Sequence, residues 1–383
     1  MTRPDAVVIV GESIAGLTAA RELRNRGYAG SLTMIGREPD GAYARPPLSK
    51  EVLRDAKKEA HLAYPHADLD LAHVRSAAVE LGTSSRIVTT ADGRFVPYDA
   101  LLIATGADAR RLARPAQTGE LVLRTLADAR LIRRRIERAR SAIVVGAGFL
   151  GLEVASACVA RGVEVTVVDS ESPLLRHLGP FMSGHVGAHL TRHGVRLIQA
   201  ARRVHLVGDP VTGVALPDGG VLSADLVVTC AGDVPAVTWL SGTGLAGSWG
   251  VAIDERCSTS IPGVYAAGDV AYLTPGTGER ASRAPFWSNA VAQGKVAAAS
   301  ILGEPRPHPP KDDYFWTEIL GLPIKVVGPL PLHGDPVSIE GDVDEGDAIL
   351  RWESPGAART VVAYGRKIPV GRLRTMTNPS GPR

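Results

Sequence analysis

The apolar positions of the chain change period several times, and those changes lay out its elements. Residues 6 to 10 (AVVIV) form an unbroken apolar run that stops at Gly11; Ile14, Leu17, Ala20 and Leu23 then recur at three-residue spacing until Gly27. A β-branched run followed by that spacing predicts a buried strand, a tight turn and an amphipathic helix. A second strand is predicted over Ser31 to Ile35. The same order returns later, as a strand over Ala142 to Val145, a helix from Phe149 to Arg161 closed by Gly162, and a strand over Glu164 to Asp169. Two further apolar strands run into glycine turns, YDALLIATGA at 98 to 107 and DLVVTCAGDVP at 225 to 235. The proline-rich, charged stretch GEPRPHPPKDD at 303 to 313 reads as a linker. Beyond it, IKVVG, AILRWE and TVVAYG alternate with turn residues, as antiparallel strands do.

A repeated strand-turn-helix-strand unit predicts an α/β chain with two tandem Rossmann-like domains and a small C-terminal α+β domain. The expected boundaries are 1–108 with 232–305 for the first, 109–231 for the second and 306–383 for the last.

Both turns carry chemistry. In the second, Gly146, Gly148 and Gly151 complete a G-x-G-x-x-G, while the first reads Gly11-Glu12-Ser13-Ile14-Ala15-Gly16, with serine in the middle. The first glycine of such a motif permits the sharp turn, the second lets a pyrophosphate approach the backbone, and the third lets helix and strand pack closely. The helix N-terminus then offers N–H groups and a positive dipole to the phosphates. Ser13 adds only a small side chain whose hydroxyl can itself donate to a phosphate oxygen, so the first turn is expected to bind a dinucleotide as well. Asp169 closes the strand VEVTVVD, where a carboxylate accepts from ribose hydroxyls and repels a 2′-phosphate. That favours NADH over NADPH. Arg176 is the nearby cation that would act against the preference.

Composition narrows the field further. With 383 residues, 45% of them hydrophobic and 22% charged, the chain has the balance of a globular protein of two or three domains. A net charge of +3 with no basic tail argues against a nucleic-acid partner. The first residues lead straight into a strand pattern and no apolar run is long enough to span a bilayer, so a cytoplasmic, membrane-free protein is expected. Cys158, Cys230 and Cys257 lie far apart and form no metal-binding or redox pair, which makes buried small hydrophobes of them.

Several motifs in order resemble the FAD-containing ferredoxin reductases of oxygenase systems, the class of putidaredoxin reductase and of biphenyl dioxygenase reductase. They are Gly11 to Gly16, Arg45-Pro46-Pro47-Leu48-Ser49-Lys50, Ala104-Thr105-Gly106, Leu123-Arg124-Thr125-Leu126, the second glycine turn with Glu153, Thr259 to Asp269, and Tyr314-Phe315-Trp316. The resemblance runs from Ala6 to about Gly328 and is weak in the tail. It implies that the first unit binds FAD through Gly11, Ser13, Ala15 and Gly16, with Ala15 at the pyrophosphate. Arg37 and Glu38 would lie at the adenosine ribose, and Arg45, Ala77, Ala104, Thr105, Gly106, Arg124, Gly268 and Asp269 elsewhere along the cofactor. Asp269 would meet the ribityl-phosphate region, and Lys50 the flavin ring. The second unit would bind NADH, or NAD+, through Gly146, Gly148, Phe149, Leu150, Gly151, Glu153, Asp169 and Gly232, with Glu153 near the nicotinamide and paired with Lys50. Trp287 and Trp316 would reach the isoalloxazine, either as part of an electron exit or as packing. Lys50, Glu153 and Trp316 are then the expected catalytic residues.

The implied activity is electron transfer from NADH through FAD to a 2Fe-2S ferredoxin that feeds a cytochrome P-450 or Rieske oxygenase, by a monomer or homodimer. Two other readings stay open: a reductase acting directly on a small molecule or oxygen, and an interaction protein like apoptosis-inducing factor whose flavin reduction drives a switch. The chain departs from the pattern at Arg37, where several relatives have aspartate and where Glu38 is the carboxylate alongside. Further departures are Pro285 in Arg283-Ala284-Pro285-Phe286-Trp287, and Thr317-Glu318-Ile319 after Trp316. Disulphide reductases of similar architecture need a cysteine in the segment Pro39 to Lys50, which has none. His185, His189 and His193, four residues apart, read as a solvated helix face rather than a metal site. Arg130, Arg133, Arg134, Arg135, Arg138 and Arg140 form either a solvated face or a docking patch for an acidic ferredoxin.

Overall fold

The computed structural model describes residues 3–200, 204–274, 283–305, 309, 311–353 and 359–378. The expected linker at 303–313 falls partly outside them, at 306–308 and 310. Contacts divide the chain into two compact units, 1–44 with 61–108 and 233–312, and 45–60 with 109–232 and 313–383.

The first unit is built on a parallel sheet in the order Val264–Ala266, Ala100–Ile103, Ala6–Val10, Ser31–Gly36, Ala72–Arg75. Its central strands are apolar throughout because both faces are covered, and Ile9, Leu101, Leu102 and Ile103 are fully buried. The helices Ile14–Asn25 and Trp287–Ile301 pack side by side. Their closeness rests on small residues: a Cβ at Gly294 would lie 2.6 Å from the Ala15 carbonyl oxygen.

The second unit repeats the plan with the parallel order Arg196–Gln199, Glu164–Asp169, Ser141–Val145, Leu226–Thr229, Leu121–Val122. The registers also match, since Val10 stands beside Ile35 in the first sheet and Val145 beside Val168 in the second. Gly36 and Asp169 are therefore equivalent positions. The helix Phe149–Val159 is buried along every residue from Gly151 to Cys158. It packs on its own sheet and on the strand Tyr314–Ile319, which is why it is apolar all round rather than striped. That strand opens a five-stranded antiparallel sheet in the order Tyr314–Ile319, Leu322–Val327, Thr360–Tyr364, Asp347–Trp352, Ser338–Asp342, with the helix Val370–Met376 against it. Among the described residues no helix is long and apolar enough to cross a membrane.

Candidate functional site

The two glycine turns share one construction. In the first, Gly11 takes φ +119° and donates its N–H to the Ile35 carbonyl at 2.8 Å. A Cβ on Gly11 would sit 2.1 Å from the Ala104 carbonyl oxygen, and one on Gly16 2.1 Å from the Gly11 carbonyl oxygen. In the second, Gly146 takes φ +118° and donates to Val168 at 2.8 Å. Cβ atoms on Gly146 and Gly151 would lie 2.3 Å from the Cys230 and 1.9 Å from the Gly146 carbonyl oxygens. The protein itself thus requires the first and third glycines.

The middle position differs. Gly148 has φ −78° and ψ −177°, and a Cβ there would meet nothing within 4 Å. Ser13 has nearly the same backbone, φ −93° and ψ −166°, and its side chain makes no helix-cap hydrogen bond. Serine is accommodated without strain, and the space it faces is the approach that the pyrophosphate needs. Both turns fit a dinucleotide.

Around the first turn, Ala104 donates its N–H to Val10 at 2.8 Å, and Thr105 Oγ1 donates to the Ala236 carbonyl at 2.9 Å. Gly106 accepts from the Ala236 N–H at 3.0 Å. Gly268, with φ +82°, comes so close to the start of the first helix that an added Cβ would lie 3.1 Å from the Ala15 Cβ. The next residue, Asp269, accepts Arg283 Nε on its carbonyl at 2.9 Å, and Arg283 makes a two-bond pair with Asp233 at 2.7 and 2.8 Å. Arg37 is exposed and paired with Asp108, while Glu38 accepts from the Tyr43 hydroxyl. Ala77 accepts on its carbonyl from Ala91 N–H at 2.8 Å, just before the strand Ala78–Gly82.

Around the second turn, Asp169 Oδ2 accepts the Ala147 N–H at 2.6 Å, and Oδ1 accepts from Ser170 Oγ and Glu171 N–H, each at 3.2 Å. Arg176 pairs with Glu171 at 2.7 Å and reaches Ser170 Oγ at 3.3 Å, so its charge is matched beside the aspartate. Phe149 and Leu150 open the helix half-buried, the Phe149 ring resting 4.6 Å from Phe315 and 4.9 Å from His177. Gly232, at φ +94°, accepts from Arg110 N–H at 2.9 Å.

Glu153 lies one turn into the same helix and is 5% exposed. Its carboxylate receives Lys50 Nζ at 2.9 Å, Thr317 Oγ1 at 2.6 Å and the Ser49 hydroxyl. A buried carboxylate is costly unless paired and hydrogen-bonded, and three donors meet that need here. Lys50 also donates to the Pro46 carbonyl at 3.2 Å. Turns at Arg45–Leu48 and Pro47–Lys50 set its position, and Arg45 bonds the Arg124 carbonyl at 2.9 Å. Arg124 precedes Thr125, whose capping box with Asp128 starts the helix Leu126–Ile136. Sequence reasoning anticipated the Lys50–Glu153 contact and missed the two hydroxyls. Ser49 adjoins Lys50, and Thr317 lies on the inward face of a strand that alternates with Trp316, so period-two alternation was the available signal.

Trp316 is half-buried and stacks on Tyr314 with centroids 5.7 Å apart. Trp287 is 39% exposed and donates its indole N–H to the Tyr64 hydroxyl at 3.0 Å. The histidines are not a simple solvated face: His185 pairs with Asp344 at 3.2 Å, His189 is half-buried against the Ile319 carbonyl at 3.2 Å, and the His189 and His193 rings lie 4.3 Å apart. Nor is the arginine-rich helix uniformly free, since Arg130 and Arg133 share Glu59 at 2.8 and 2.5 Å. Arg134, Arg135, Arg138 and Arg140 are exposed. Cys158 and Cys257 are buried and Cys230 is partly exposed; all three are free thiols.

Twin parallel sheets, each ending in a phosphate-binding turn, define an oxidoreductase that holds two dinucleotides. The chain belongs to the pyridine nucleotide-disulphide oxidoreductase family, whose sequence model matches residues 5–294, and it uses FAD and NAD(H). It is 35% identical over 361 residues to the ferredoxin–NAD(+) reductase component of the biphenyl dioxygenase system of Paraburkholderia xenovorans, covering 90% of this chain and 86% of that one. It is 32% identical to a rubredoxin–NAD(+) reductase of Ectopseudomonas oleovorans, over 85% of this chain and 87% of the other. Among solved structures it resembles the ferredoxin reductase for the CYP199A2 system of Rhodopseudomonas palustris, with a TM-score of 0.88 and 29% identity over 97% of this chain and 93% of that one.

Proposed function

We propose that the protein is an NADH-dependent flavoprotein reductase that passes electrons to a 2Fe-2S ferredoxin serving a cytochrome P-450 or Rieske oxygenase in the cytoplasm. The observation that carries this reading is the presence of two dinucleotide turns in one chain whose relatives of nearly the same length are reductases of small iron proteins. FAD held at the first turn would supply the exchange between two-electron and one-electron transfer.

The chain's own residues supply binding and orientation. The backbone N–H groups at the start of the helix Ile14–Asn25 hold the first pyrophosphate, with Ser13 adding a hydroxyl. Asp169 accepts from the ribose of NADH and repels a 2′-phosphate. Lys50 and Glu153 form the charged pair that orients the nicotinamide, Glu153 being fixed by Thr317 and Ser49. The hydride step needs no general acid or base, so placement is what these residues contribute.

A second reading, rubredoxin as the iron protein served, is favoured by the rubredoxin reductase relative. Anaerobic mixing of the NADH-reduced protein with each iron protein in turn tests both. Ferredoxin reduction at least tenfold faster than rubredoxin reduction is the expected result. The reverse order assigns rubredoxin, and reduction of neither removes the proposal.

A further inference from the structure

The two copies of the dinucleotide unit place their carboxylates differently. In the second, the carboxylate belongs to the strand end, Asp169, and reaches back to the turn, where it takes the Ala147 N–H at 2.6 Å. In the first, the strand end is Gly36, and the residue equivalent to Ala147 is Glu12. A Cβ built on Gly36 would fall 2.1 Å from Glu12 Cδ and 2.2 Å from its Oε1. The Glu12 carboxyl group therefore fills the space that a side chain at the strand end would occupy. The same functional group is delivered to the same place from the other side of the turn.

Glu12 is built in rather than solvated. It is 8% exposed, its Oε2 lies 3.1 Å from Arg75 Nη1, and its Oε1 is buried with no hydrogen-bond partner among the described residues. Burial, with the nearby Glu38 carboxylate, pushes its carboxyl above the usual range, against the opposing pull of Arg75 and of the Glu38 backbone N–H. A buried acceptor left unmatched costs free energy that a ligand hydroxyl can recover. The other acids nearby are engaged elsewhere: Glu38 accepts from the Tyr43 hydroxyl, and Asp108 holds Arg37.

We infer that Glu12 binds the adenosine ribose of the dinucleotide held at the first turn, its Oε1 accepting from the ribose diol as strand-end acids do in such units. The inference rests on the reading of that turn as the FAD site. It makes the second residue of the motif, normally free to vary, a ligand-binding position, and it explains why glycine stands at position 36.

Equilibrium titration of the apoprotein tests it, with FAD and with an FAD analogue whose adenosine ribose is 2′,3′-dideoxy. On the wild type the analogue is expected to bind on the order of ten- to a hundredfold more weakly than FAD, the range for a hydrogen bond to a charged acceptor. Glu12→Ala should weaken FAD by a similar factor and bind FAD and the analogue equally, because the contact is already lost. Arg75→Gln should still discriminate between them, since it leaves Oε1 in place. Wild type that binds FAD and the analogue alike overturns the inference while leaving the flavoprotein reading intact, and that arm requires no variant to fold. Discrimination retained in folded Glu12→Ala overturns it as well. Wild type that takes up no FAD at all overturns the flavoprotein reading and the inference together.

Discussion

Asp169 accepts hydrogen bonds from Ala147, Ser170 and Glu171, which holds its carboxylate at the strand end, while Arg176 is drawn to Glu171. Asp169→Ala should therefore narrow the NADH/NADPH ratio of kcat/KM by tenfold or more, each factor of ten being worth about 1.4 kcal/mol. Steady-state kinetics with both coenzymes measures it, and a ratio unchanged from wild type would remove Asp169 from coenzyme choice. Glu153 offers a second test, because its charge is buried. Lys50→Met leaves that carboxylate with hydroxyl donors only and should destabilise the second unit by about 3 kcal/mol. Thr317→Val should cost about 1–3 kcal/mol by removing one donor. Urea unfolding reads both; a smaller loss for Lys50→Met than for Thr317→Val would contradict the account. Asp169 was legible in the sequence from its distance to a glycine motif, and the Lys50–Glu153 contact from the resemblance of the two motifs that carry it. Glu12 was not, since its position in the motif accepts any residue and only the fold reveals that Gly36 has vacated the space beside it.

At the scale of the element, the strand-turn-helix units could be read directly because an apolar run, a glycine and a helical period coincide. The observed strand Ala6–Val10 and helix Ile14–Asn25 fall where that pattern puts them. The role of each glycine could not be read so simply. Gly146 and Gly148 look alike in sequence, yet one has positive φ against a carbonyl and the other has an extended backbone facing open space. Gly146→Ala should cost at least about 3 kcal/mol, combining strain and collision. Gly148→Ser should leave the free energy of unfolding within about 0.5 kcal/mol of wild type, any penalty appearing only in the KM for NADH. Equal stability losses for the two variants would show that the turn is not partitioned in this way. The histidine spacing misled for a related reason: periodicity places residues on one face of a helix but does not say what covers that face, and here His189 meets a backbone carbonyl.

For the molecule as a whole, the family name includes a disulphide that this chain does not form. Burial pushes the Cys158 thiol up to about 12 and raises Cys257 as well. At pH 8 a thiol near 12 is ionised to roughly one part in ten thousand, and the thiolate is the reactive form. Iodoacetamide at pH 8 should leave NADH-dependent reduction of an iron protein unchanged and label these cysteines only after unfolding; loss of activity in step with alkylation of the folded protein would reveal a thiol in the electron path. The helix Phe149–Val159 has a different consequence for the whole molecule. It is gripped by a parallel sheet on one side and by the strand Tyr314–Ile319 on another, so neither its N-terminus nor Glu153 can shift without repacking both. On the proposed function, NADH would meet a helix already fixed by its packing, and little of its binding free energy would go into ordering that helix. What remains can go into fixing the one geometry from which a hydride departs.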